Sequence, residues 1–151
     1  MKGLSLIVKT ITDFVVAFIV IFGAYIVLFG HLTPGGGFAG GVIIASAFIL
    51  LMLAHGSEVA FSRLGERTAH ILDSAGALAF LIIGWVGVVG GFFFMNVFNK
   101  GQQFRLLSAG IILPSNIAIA FKVGSSLFLV FAALAVFRRR SFRPLLEDDL
   151  P

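Results

Sequence analysis

The sequence predicts an all-α integral membrane protein with four transmembrane helices and both termini in the cytoplasm. Three observations carry this. Apolar residues make up 59% of the 151-residue chain and charged residues 12%, against roughly 45–50% and about 25% in soluble domains. The mean hydropathy is +1.08. A soluble chain this small cannot hide so much apolar surface inside itself, whereas a bilayer is an apolar solvent. Second, the apolar residues fall into four segments near the ~20 residues that cross a hydrocarbon core. Third, positive charge is distributed unevenly between the connections. The N-terminus, the segment 55–73 and the tail hold Lys2, Lys9, Arg63, Arg67, Arg138, Arg139, Arg140 and Arg143, and the opposite connections hold only Lys100 and Arg105. Lysine and arginine concentrate on the cytoplasmic side. The formal charge of +4 therefore belongs to membrane topology and not to nucleic-acid binding.

The first span is expected at about 11–30, interrupted only by Asp13. Its apolar run is too long for a signal peptide, and no A-x-A-like cleavage site follows. The second is expected at about 36–54, starting among glycines. The third, about 73–95, has no charge after Asp73. The fourth, about 112–137, contains one charge, Lys122, and is followed by a cytoplasmic tail, 138–151. The loop 96–113 becomes apolar again at "AGIILP", which suits a segment lying on or dipping into the membrane. Cysteine is absent, so disulfides and thiolate metal sites are excluded. His55 and His70 are read as loop residues near a helix end, and no metal site is assigned.

"GHLTPGGGFAGG", residues 30–41, joins the first two spans. Gly35, Gly37 and Gly40 fit G-x-G-x-x-G, but a dinucleotide site needs a preceding strand and a βαβ unit. A P-loop needs G-K-[ST]. Neither is present. Pro34 cannot continue the first helix and suits the first turn of the next. The glycines permit a tight reversal. Gly36 with Gly40, and Gly37 with Gly41, are overlapping G-x-x-x-G pairs, extended by Ala45. Gly87 and Gly91 repeat the spacing in the third span. Small residues at this interval let helices approach closely in lipid. The amides of Gly35 to Gly37 also suit an anion nest, with His31 beside them as an interfacial residue or a proton carrier.

Lys122 stands eight residues after Pro114 and sixteen before Arg138, roughly 12 Å and 24 Å along a helix. A charge at mid-bilayer costs ~2.5–3.5 kcal/mol on insertion scales, so Lys122 either snorkels outward or serves ion movement. Ser125 and Ser126, about one turn on, can support it by hydrogen bonding. Of the seven acids, Asp13 and Asp73 are expected near the cytoplasmic ends of their spans, and the other five lie in the cytoplasmic loop and tail. None is expected at the depth of Lys122, so its counter-charge is expected from another subunit. Asp13 can pair with Lys9 at i,i+4 or act where ions enter. Asp73 can cap the third span's N-terminus or share that ion role.

"GHLTPGGGFAGGVI" resembles the signature of the B subunit of Mrp (Mnh) multisubunit cation/proton antiporters. "SAGIILPSNIAIAFKVGSSLFLVF", 108–131, resembles that family's last span in its lysine-bearing versions. Related subunits occur in membrane-bound hydrogenases and sulfur-reducing complexes. The resemblance implies a four-helix subunit without catalysis or cofactor of its own, working beside other membrane subunits that exchange sodium for protons. Lys122, and less directly His31, carry over to an ion path. The lysine-type last span leans toward a redox-linked parent complex. Two other readings remain: a purely structural spacer, and a small self-sufficient four-helix transporter. The latter fits less well, because four-helix exporters place an acid mid-span in the first helix.

Overall fold

The computed structural model describes residues 5–98 and 104–147, with side chains to residue 137. Lys2 and Lys100 fall outside it, as do the side chains of Arg138, Arg139, Arg140 and Arg143. Among the described residues the chain is all-helical, with five helices: α1 Leu6–Leu28, α2 Gly36–His55, α3 Ser57–Arg63, α4 Glu66–Val89 and α5 Ile112–Glu147. Four are long and apolar enough to cross a membrane: α1, α2, α4, and α5 over Ile112–Phe137. The fifth, α3, lies where a plain loop was expected.

Antiparallel α1 and α2 pack together, α2 packs on α5, and α5 on α4. The long helices expose large apolar side chains, such as Phe14, Phe18 and Ile21 on α1 and Leu78, Ile82 and Trp85 on α4. Such surfaces suit hydrocarbon rather than water. The core sits toward the end of the bundle that holds α3. There Phe128, fully buried, meets Leu51, Met52, Ala60, Ala69 and Ala132, with Phe48 and Phe61 edge-on to its ring.

The helix limits follow local chemistry that hydropathy alone misses. Gly56, at φ 95°, ends α2, and only glycine adopts that backbone freely. The chain then forms α3 and restarts at Glu66, an acid in the first turn of α4, where the helix dipole favours it. So α4 starts seven residues before the expected 73 and stops at Val89 instead of 95. Asp73 is consequently not an N-cap. It lies two turns inside α4, roughly 10 Å from its start. At the other end, α5 continues to Glu147 beyond the expected 137. Pro34 also falls outside the expected first turn, two residues before α2 begins.

The segment after α4 doubles back on it. The Phe94 amide donates to the Gly84 carbonyl at 3.0 Å. A Cβ at Gly87 would stand 2.4 Å from the Met95 amide nitrogen, and Gly91 is a turn residue at φ 115° with nothing within 4 Å. The expected helix-packing face at Gly87 and Gly91 is therefore corrected. Gly87 admits the chain's own reversal and Gly91 makes its turn.

Candidate functional site

The α2 glycines set the bundle's closest approaches. A Cβ at Gly37 would stand 2.3 Å from the Asn116 carbonyl oxygen, and one at Gly41 3.0 Å from that of Ala120, both on α5. One at Gly40 would meet Val27 and the Gly23 carbonyl oxygen on α1. The overlapping pairs thus divide between two neighbours within this chain: Gly37, Gly41 on α5, Gly40 on α1. Gly35 and Gly36, at φ 124° and 62°, make the reversal. The Gly37 amide is not left for an external anion, because it donates to Asn116 Oδ1 at 3.2 Å. Asn116 was given no role from sequence. A polar amide near the start of an apolar span was the available signal.

The same logic brings α4 against α5. A Cβ at Gly76 would stand 2.7 Å from the Ala118 carbonyl oxygen and 2.8 Å from the Lys122 amide nitrogen. Ala118, Lys122 and Ser126 form an i±4 ridge on α5, and Asp73 lies one turn before Gly76 on α4. At this approach Lys122 Nζ donates to Asp73 Oδ1 at 2.7 Å. The Ser126 hydroxyl donates to the same oxygen. The side chain of Asp73 is 23% exposed and that of Lys122 44%.

This overturns the expectation that another subunit must supply the counter-charge of Lys122. The acid comes from this chain. Hydropathy puts Asp73 at a helix start, whereas the true start at Glu66 carries it deeper. The two serines also separate. Ser126 supports the carboxylate. Ser125 does not reach the ammonium: its hydroxyl turns back to the Phe121 carbonyl oxygen at 2.5 Å and that of Lys122 at 3.3 Å, the usual i−4 bond of a mid-helix serine. Ser126→Ala is expected to lower the midpoint of thermal unfolding in detergent, at a cost of about 1.5 kcal/mol, the low end for a bond to a charged group. A midpoint matching that of the unaltered chain would mean the hydroxyl does not hold Asp73.

The remaining candidates lie apart from this pair. Asp13 does not pair with Lys9. Its Oδ1 lies 2.8 Å from His55 Nε2, at the end of α2, with His55 17% exposed and Asp13 60%. The approach is at ion-pair distance but too oblique for a hydrogen bond, leaving Nε2 without one. The contact joins α1 to α2 where α2 ends, at the end of the bundle opposite His31. His31 sits in the α1–α2 turn, with Nε2 3.1 Å from the Arg105 carbonyl oxygen and Nδ1 buried without a partner. It ties that turn to the segment before α5.

Fold and site define a class: a multi-pass helical membrane protein whose spans pack through glycine and carry a lysine–aspartate pair between two of them. The chain belongs to the MnhB family. The model described as the domain related to the MnhB subunit of Na+/H+ antiporter matches residues 7–129. An uncharacterised protein of Methanocaldococcus jannaschii is 39% identical over 109 residues, covering 67% of this chain and 41% of that protein. A candidate antiporter subunit, mnhB2, of Staphylococcus saprophyticus is 48% identical over 54 residues, covering 36% of this chain and 38% of that one. This chain thus spans about two fifths of the length of the curated relatives it matches. Among solved structures, a chain from the membrane-bound sulfane sulfur reductase, an archaeal respiratory membrane complex, matches with a TM-score of 0.77 and 30% identity, covering 89% of this chain and 59% of that one.

Proposed function

We propose that this chain is a non-catalytic membrane subunit of an Mrp-type complex that moves sodium and protons, and that the Asp73–Lys122 pair handles charge within it. The observation that carries the reading is that pair. Two ionisable groups between spans are expensive in hydrocarbon, and such groups mark ion paths by default. A lysine beside a carboxylate can take up and release a proton as its surroundings change. Both side chains keep an exposed part for a neighbouring subunit or water to reach. The chain itself contributes no cofactor. The excess of lysine and arginine on one side supports cytoplasmic termini. The likeness to a sulfur-reductase chain supports a redox-linked parent complex over a free antiporter.

The test is sodium–proton exchange by the intact complex in sealed vesicles. Asp73→Asn and Lys122→Ala are each expected to abolish most transport while the variant subunit still copurifies with its partners. Full transport by both assembled variants leaves the spacer reading, which the glycine packing supports. Transport by this subunit expressed alone would establish the self-sufficient transporter instead.

A further inference from the structure

The early start of α4 places more than Asp73. Glu66, His70 and Asp73 are four and three residues apart on that helix. At 100° per residue they fall within an arc of about 60°, and they climb ~10 Å from first to last. Neighbours at these intervals have Cβ atoms about 5–6 Å apart. Exposure declines along the row: Glu66 and His70 are exposed, and Asp73 is 23% exposed. The row starts at the end of the bundle where α3 lies and ends at Lys122 on α5. The charged groups nearby in sequence are Glu58 and Arg63 on α3 and Arg67 on α4. The Lys122 and Ser126 donors both reach Asp73 Oδ1, which leaves Oδ2 to accept an incoming proton.

We infer that Glu66 and His70 form a proton-access ladder from the α3 end of the bundle to the Asp73–Lys122 pair. Glu66 collects a proton and passes it to His70, one turn further along the helix. The N–H bond of His70 breaks and an O–H bond forms at Asp73 Oδ2. The neutralised carboxyl no longer holds the Lys122 ammonium, which hands its proton to water or to a protonatable side chain of a neighbouring subunit on its exposed side. The resulting amine takes the proton from Asp73, and the starting pair is restored. Glu66 and His70 touch neither Lys122 nor the onward acceptor in this scheme. They supply protons to the pair.

The inference rests on the ion-handling reading of Asp73 and Lys122, so the two are tested together. The intact complex is reconstituted in sealed vesicles with a trapped pH dye. His70→Ala is expected to slow proton movement about tenfold, within reach of a lost proton-transfer group. Glu66→Gln slows it less. Thr68→Val, on the opposite side of α4, leaves it unchanged. Imidazole in the buffer restores the His70→Ala rate, which it would not do for a histidine that only packs. If His70→Ala fails to assemble, His70→Gln is read by its rate alone, and normal proton movement in it overturns the ladder. Normal movement in His70→Ala, or a slow rate that imidazole leaves slow, overturns it as well. Slow Asp73→Asn with normal His70→Ala removes the ladder alone, and normal Asp73→Asn removes both readings.

Discussion

Gly37→Val is expected to prevent α2 and α5 from packing, so that the subunit no longer accumulates in the membrane or copurifies with a complex. Even the first added carbon would stand 2.3 Å from the Asn116 carbonyl oxygen and 2.8 Å from its Cα. These are backbone atoms, so no side chain can swing aside. The helices must separate, and separation also lengthens the bond from the Gly37 amide to Asn116 Oδ1. In lipid no hydrophobic force pulls the helices back together, and close packing supplies the association. The cost is expected to exceed ~3 kcal/mol, beyond the ordinary range of overpacking. Gly65→Ala is the contrasting case. Gly65 has φ −61°, and its added carbon would meet nothing nearer than Thr68 Oγ1 at 3.6 Å. It should express and unfold like the unaltered chain. Normal assembly of Gly37→Val would show that the two helices do not approach as described.

The second large effect separates stability from transport at the ion pair. Lys122→Met is expected to destabilise the subunit because it leaves the Asp73 carboxylate between spans with Ser126 as its one donor among the described residues. Asp73→Asn similarly leaves the ammonium without a counter-charge. The double variant removes both charges and should recover much of the stability, since apolar or neutral replacement of an ion pair is far less costly than breaking it. A double-mutant cycle on unfolding in detergent is expected to give a coupling of about 1–2 kcal/mol. That is below the ~3–5 kcal/mol for breaking a fully buried pair, because both side chains are partly exposed. Transport should stay absent in the double variant even though stability returns. Additivity within about 0.5 kcal/mol would mean the pair contributes nothing to folding. Transport in the double variant would remove its role in ion movement.

These two experiments probe features that were legible in the sequence to different degrees. The glycine pairs were readable because small residues at four-residue spacing on an apolar helix have one common use in lipid. Which neighbour each glycine meets was not readable: Gly40 faces α1 and Gly37 faces α5, a choice made by the arrangement of three helices. The Gly87 and Gly91 spacing had the same form and a different use, admitting a chain reversal. Spacing specifies that something can come close. It does not specify what comes.

Lys122 stood out for the same reason as the glycines, because a lone cation in a 26-residue apolar span violates the local pattern. Its partner did not stand out. Asp73 marks the point where continuous apolar sequence begins, and hydropathy therefore assigned it to a boundary. The stronger signal for the helix start was Gly65 followed by Glu66, a stop and an N-terminal acid within a polar stretch. Asp13 was similarly paired with Lys9, its neighbour in sequence, and the fold brings it to His55 at the far end of the next helix instead.

By itself the sequence determined that this protein lives in a membrane, that four of its segments are long and apolar enough to cross it, and that Lys122 must be accounted for there. Each of those follows from the cost of placing a given side chain in hydrocarbon, which is a property of the residue and its immediate neighbours. The tertiary structure alone decided that the counter-charge is Asp73. Whether two residues on antiparallel helices meet depends on the vertical offset between the helices. It depends also on how closely the helices approach, which Gly76 permits. Neither quantity can be read from the hydropathy of either helix alone.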